Sequence, residues 1–241
     1  MIVQSEISGE ALPELALPTE ILGLVSINTA TRLRAEPALL AIDTSLGTVV
    51  SLSCGVKVWQ SVSDNAMAHA EVVGEVIRHA LAKAELTVSD IDAVVMGTGP
   101  GSFTGLRVGM AAAAAFAIGL AKPLLPVLSH EASAIEFFNS NPAASTVRIV
   151  QDARRKELFV TGYTAPQALL PVNTVAPAVI ARAEFTAAGS DHTPTRVSGS
   201  GLLQAALVRL AYGLEFGSKQ PVYLRDPDVR QPVPVKSVFQ R

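Results

Sequence analysis

The run Gly97-Thr98-Gly99-Pro100-Gly101-Ser102-Phe103-Thr104-Gly105-Leu106-Arg107-Val108-Gly109 constrains this chain more than any other feature. A short apolar stretch, Ile91-Asp92-Ala93-Val94-Val95-Met96, precedes it, and an alanine-rich segment follows. The local reading is strand, glycine turn, helix, with Ser102 placed to cap the helix. Helix N-terminal N–H groups attract anions, so phosphate loops share this outline. The spacing nevertheless fits neither a Walker A loop, which needs Lys-Ser/Thr after its last glycine, nor the dinucleotide fingerprint. Gly105 and Gly109 lie on one helical face, continued by Ala113. A glycine inside a helix costs about 1 kcal/mol relative to alanine. Close packing against a neighbour must offset that.

Around this run the chain reads as alternating strands and helices. Ala38-Leu39-Leu40-Ala41-Ile42 is a continuous apolar run, as a buried strand would be, and it ends at Asp43-Thr44-Ser45. Residues 48–54 and 56–62 read as two further strands with Gly55 as the turn. Over 66–84, Val72, Val73, Val76, Ile77, Ala80, Leu81 and Ala84 make a helical stripe. A strand over 91–96, a helix over 102–121, a strand over 124–128 and a helix capped by Ser129 complete a βββαβαβα order. After the loop Asn139-Ser140-Asn141-Pro142 the logic partly restarts. A hairpin is predicted from 147–151 and 157–161, then a short helix over 178–185. A strand over 195–197, the turn Ser198-Gly199-Ser200-Gly201 and a helix over 202–212 follow. Pro221 and Pro227 bound an extended C-terminal strap. The expected layout is a lobe over 38–143 and a second over 144–241, strap included. Residues 1–37, with three prolines and no basic residue before Arg32, read as a disordered extension without a secretory signal.

Composition removes several classes. The 241 residues are 49% hydrophobic and 17% charged, against about 25% charged in an average domain, which excludes general disorder. The longest strongly apolar run, 108–121, is short of the roughly 18 residues a membrane span needs. A net charge of −2 leaves no broad basic field for nucleic acid. The single cysteine, Cys54, excludes an internal disulfide and a cysteine metal site and suits a reducing compartment. His69 and His79 stand roughly 280° apart around their helix, so they cannot chelate one ion. The Asp43-Thr44-Ser45 turn has the donors for hydrated magnesium and phosphate, or is a capped turn. Asp152-Ala153-Arg154-Arg155-Lys156 is either a solvated tip or a phosphate contact.

Taken together, Ala41-Ile42-Asp43-Thr44-Ser45, His69, and Gly99-Pro100-Gly101-Ser102-Phe103-Thr104-Gly105-Leu106-Arg107-Val108-Gly109 closely resemble the TsaB (YeaZ) family. Asp152-Ala153-Arg154-Arg155 and Tyr223-Leu224-Arg225-Asp226-Pro227-Asp228 resemble its later motifs. The likeness covers about 39–229. It implies the two-lobed α/β actin/hexokinase/Hsp70-like (ASKHA) fold with a degenerate second lobe. It implies a non-catalytic, cytoplasmic partner of the transferase TsaD and the ATPase TsaE in making N6-threonylcarbamoyladenosine at position 37 of tRNA. ATP and divalent metal would belong to those partners, tRNA would be met through the complex, and a homodimer could form in isolation. The family's helical partner surface maps onto His69, Val72, Val73, Val76, Ile77, Ala80, Gly105, Arg107, Gly109 and Ala113. Asp43, Thr44 and Ser45 would be a vestigial phosphate loop. The competing expectation is an ATPase or phosphotransferase using Asp43, Thr44 and Ser45, with Ser198-Gly199-Ser200-Gly201 as its second phosphate loop. A metalloprotease lacks ligands.

Overall fold

A computed structural model describes residues 7–15, 36–63, 69–166 and 169–225. The first sheet opens with four strands, β1 (Ile7–Leu12), β2 (Ala38–Asp43), β3 (Thr48–Cys54) and β4 (Lys57–Ser63). Every residue of β2 is buried, as an unbroken apolar run covered on both faces should be. β2, β3 and β4 form an antiparallel meander turned at Gly55, whose φ of 59° suits glycine. β5 (Ala93–Gly97) and β6 (Leu124–Val127) extend the sheet in parallel beyond β2. β1 pairs antiparallel with β4, and the six strands run β1-β4-β3-β2-β5-β6.

That edge strand corrects the expectation that residues 1–37 are a disordered extension. Within the described part, Ile7–Leu12 is paired along its length, and Leu15 is buried with its N–H donating to the Val56 carbonyl. No residue of the strand is fully buried, but Ile7 and Leu12 pack against the cores on the two faces of the sheet.

Helices cover both faces of the sheet. α1 (His69–Ala84) and α2 (Phe103–Gly119) pack on one, placing Val72, Val76, Ile77, Leu106 and Ala113 against Leu40, Ile42 and Val94. α3 (Ser129–Ser140) runs between this sheet and a second one. Its Ala132 and Ile135 face the first core, and its Ala134 and Phe138 face Val147, Ile149 and Tyr163. The second sheet contains β7 (Thr146–Asp152), β8 (Glu157–Thr164), β9 (Val172–Ala181) and β10 (Asp191–His192), in the order β10-β7-β8-β9.

α4 (Gly199–Tyr212) then returns to the first sheet. Its Leu202, Leu203, Ala206 and Leu207 share a core with Leu39, Ala41 and Val95. The expected lobe over 144–241 is corrected accordingly: its helix belongs to the first sheet's packing. A partly buried ion pair, Arg209 Nη2 to Glu131 Oε1 at 2.7 Å, ties α4 to α3.

Two local expectations also fail. The segment read as a helix over 178–185 starts instead inside β9, where Ala178 pairs with Val160 and Ile180 with Leu158. Tertiary pairing outweighs alanine's helical preference there. Residues 195–197 form no strand; the parallel partner of β7 is Asp191–His192. The C-terminal strap is present over its described part, with Val222 N–H donating to the Thr98 carbonyl at 2.9 Å.

Candidate functional site

The Asp43-Thr44-Ser45 turn, the glycine-rich run and the end of β7 converge between the two sheets. Asp43, Thr44 and Ser45 are all buried. The Asp43 carboxylate is held by the protein's own donors. Ser45 N–H and Ser45 Oγ each donate to Oδ1 at 2.7 Å, and Ser129 Oγ donates to Oδ2 at 2.5 Å. Ser129 Oγ in turn accepts from Gly99 N–H at 2.9 Å. This corrects the reading of Ser129 as a helix cap. It is the first residue of α3, Leu128 holds the cap position, and the hydroxyl ties the glycine run to Asp43.

Ser102 does cap α2, accepting from Gly105 N–H at 3.1 Å. Thr44 Oγ1 donates to the Gly105 carbonyl at 2.5 Å. A Cβ on Gly105 would collide with the Thr44 carbonyl, and one on Gly109 with Thr44 Oγ1. The small residues of α2 therefore admit the chain's own turn. The same holds for the predicted second phosphate loop. Ser198 caps α4 by accepting from Gly201 N–H at 3.0 Å. A Cβ on Gly199 would strike Ser51 Oγ, and one on Gly201 the Ala132 carbonyl. Beside the Asp43 turn lies a cavity of about 110 Å³, lined by Ser45, Gly47, Ser102, Arg154, Phe159 and Arg225 among others.

A short polar chain locks the two sheets across this seam. Gln151 Nε2 donates to the Ser45 carbonyl at 3.2 Å. Its Oε1 is then the acceptor for His130 Nε2 at 3.1 Å, which leaves His130 Nδ1 to accept from Thr161 Oγ1 at 2.7 Å. Burial lowers the His130 pKa to about 4, with the Gln151 hydrogen bond opposing, so the ring is neutral near pH 7. Nothing in the sequence pattern marked Ser129, His130 or Gln151 as a set. Ser129 and His130 open α3 while Gln151 lies on β7, and only the topology brings the two elements together.

The expected partner surface is corrected in most of its members. Val72, Val76, Ile77, Ala80, Gly105, Gly109 and Ala113 are buried in the chain's own core. Their stripe faces the sheet because helix amphipathicity reports burial, not the identity of what covers it. Val73 is half-buried and Arg107 is exposed; His69 opens α1, and its side chain lies outside the described residues. The outward face of α2 carries Thr104, Arg107, Ala111, Ala115 and Ile118, the last 80% exposed. Arg107 lies 3.8 Å over the Phe103 ring and donates to Tyr223 Oη at 3.1 Å.

The remaining histidines are spent locally. His79 Nδ1 meets Ser61 Oγ at 2.9 Å, and His192 lies against Phe137 with ring centroids 5.3 Å apart. Among the described residues no group of three His, Cys, Asp or Glu could hold a metal ion, and no helix is long and apolar enough to cross a membrane.

The model of the TsaD family, described as tRNA N6-adenosine threonylcarbamoyltransferase, matches residues 63–217. The tRNA threonylcarbamoyladenosine biosynthesis protein TsaB of Haemophilus influenzae is 35% identical over 127 residues, 50% of this chain and 51% of that protein. The chain belongs to this family, on its TsaB (YeaZ) side. An uncharacterised protein of Mycobacterium tuberculosis is 35% identical over 212 residues, 80% of this chain and 93% of its own length. The solved structure of YeaZ from Pseudomonas aeruginosa superposes with a TM-score of 0.68 at 24% identity, covering 78% of this chain and 100% of that one. The two-lobed family fold is thereby the fold of this chain, and the architecture expected of a TsaB relative holds.

Proposed function

We propose that this chain is a non-catalytic partner subunit in forming N6-threonylcarbamoyladenosine on tRNA, acting beside a TsaD-type transferase and a TsaE-type ATPase. The observation that carries the reading is the closed turn at Asp43. A catalytic carboxylate of this fold must face metal-bound water or phosphate, whereas both oxygens of Asp43 are engaged by donors of Ser45 and Ser129. The neighbouring cavity of about 110 Å³ is well below the ~300 Å³ at which small-molecule sites begin. In this reading ATP and metal belong to the partners, and the chain supplies shape.

In this reading the partner meets the helical face of the first sheet. The residues that can serve are the outward ones, Ala111, Ala115 and Ile118 of α2 with Gly74 and Arg78 of α1, all exposed. Small side chains along α2 permit close helix approach, and Ile118 offers an apolar anchor. Two copies can bury the same stripe against each other when the partner is missing.

Co-purification tests this. Wild-type chain is expected to copurify with the host's TsaD-type protein and to hydrolyse no ATP alone. Ile118→Asp is expected to keep its melting temperature and lose the partner. ATP turnover by the purified chain, or a complex indifferent to Ile118→Asp together with Ala115→Glu, would overturn the proposal.

A further inference from the structure

We propose that a strip of basic and aromatic side chains, running from the β7–β8 hairpin tip along the C-terminal strap to the start of α2, is a contact for the phosphate backbone of RNA. The inference rests on the tRNA reading above and deepens it. It assigns this subunit an RNA contact of its own.

Arg154, Arg155 and Lys156 form the tip. All three are exposed, and they are consecutive non-glycine residues at φ of 61°, 53° and 61°. Single left-handed residues are uncommon outside glycine and asparagine. A run of three cationic ones is not what a plain solvated turn would require. The acids beside the tip are already matched by other cations. Asp152 accepts from Arg182 Nη2 at 3.1 Å, and Glu157 accepts from Arg225 Nη1 at 2.9 Å.

The strap carries the charge onward. Arg225 Nη2 donates to the Ala153 carbonyl at 2.5 Å, which anchors the strap under the tip. Two residues earlier, Tyr223 lies against Phe103 with ring centroids 4.7 Å apart, and Arg107 sits over the same Phe103 ring. The strip thus joins Arg107, Arg154, Arg155, Lys156, Arg182 and Arg225 against Asp152 and Glu157, in a chain whose net charge is −2. Asp226 and Asp228 follow in the sequence, outside the described residues.

The ligand chemistry follows from this layout. Guanidinium groups bind phosphate oxygens in bidentate fashion, and aromatic faces interleaved with arginine suit unstacked bases. The adjoining cavity, about 110 Å³, is too small to seat a nucleotide. An extended row of cations instead matches the repeated phosphates of a polymer.

The test is fluorescence anisotropy of a labelled tRNA transcript titrated with the full chain, alone and with its TsaD-type partner, at several salt concentrations. The variant is Arg154→Asn, Arg155→Asn and Lys156→Asn together, since asparagine tolerates left-handed backbone and keeps the turn. Roughly tenfold weaker binding at low salt is expected, with the log–log salt slope smaller by about 2. Lys57→Gln with Lys83→Gln, both exposed and remote in sequence from the strip, is expected to bind as wild type. Equal binding by the asparagine variant, equal loss in the lysine control, or displacement of the transcript by ATP at matched phosphate concentration would overturn the inference. A chain that fails to join the partner yet shows the slope change refutes the pathway reading alone. A complex that forms normally while the asparagine variant keeps wild-type affinity refutes the strip alone.

Discussion

The six-stranded sheet carries α1 and α2 on one face and α3 with α4 on the other, while the four-stranded sheet has α3 on one face and a small cluster on the other. That cluster is Val150, Leu158 and Val160 packed against Ile180 and Phe185. The second sheet also gives up its following helix, α4, to the first. The difference locates most of the hydrophobic stabilisation in the first lobe. The second lobe is reduced to a sheet fastened across a polar seam, which leaves it to present a hairpin tip and a strap edge. A clamp that opens and closes on a nucleotide needs a free cleft between its lobes. Here Gln151, bonded to the Ser45 carbonyl and to His130, spans that position.

Core truncation should break the comparison most visibly. Leu207→Ala, fully buried on α4, should cost about 4 kcal/mol, whereas Val160→Ala on the thin face of the second sheet should cost about 1.5 kcal/mol. Urea unfolding measures both, and equal losses would show that the second lobe is as well packed as the first. Next in size is Gly201→Ala, whose Cβ would run into the Ala132 carbonyl between α4 and α3. Overpacking against backbone should cost about 3 kcal/mol.

The seam itself is tested by pH. His130 has a folded pKa of about 4, below its unfolded value near 6.5. The unfolded chain therefore binds the extra proton first. The contribution is fully present above about pH 6.5 and is lost as pH falls towards 4, about 2 kcal/mol of it by pH 5. His130→Asn should flatten this segment of the stability profile, and an unchanged slope would show that the ring is not sealed in the seam. The smallest effect is a gain. Gly74→Ala on the outer face of α1 meets nothing within 4 Å and should stabilise by about 0.7 kcal/mol.

Much of the first lobe was legible in the sequence, because its strands are apolar runs closed by turn residues and its helices have clear stripes. β2, β3, β4, α1 and α2 lie where Ala38-Leu39-Leu40, Gly55 and the Ser102 cap place them. β1 gives little signal because it is a short edge strand in which Ser8, Gly9 and Glu10 separate the two core contacts, Ile7 and Leu12. β9 is not legible locally because Ala178 and Ile180 are held extended by pairing with Val160 and Leu158 of the preceding strand, which a helix-length window does not see. The candidate site divides the same way. The closeness of Gly105 and Gly109 to a neighbour could be inferred from the cost of helical glycine, but the neighbour could not. It proved to be Thr44 of the same chain. Val72, Val76 and Ile77 announce burial, while the outward Ala111, Ala115 and Ile118 carry no signal of their own.

In the proposed function the Asp43 turn is structural and the outer face of α2 meets the partner. Reconstituted formation of threonylcarbamoyladenosine, read by mass spectrometry of nucleosides from tRNA incubated with the chain, its TsaD-type and TsaE-type partners, threonylcarbamoyl adenylate and ATP, compares the two directly. Asp43→Asn keeps the shape of the turn. Near wild-type product is expected from Asp43→Asn and almost none from a folded Ile118→Asp. Loss of product on Asp43→Asn with the complex intact, and wild-type product from Ile118→Asp, would contradict the proposal.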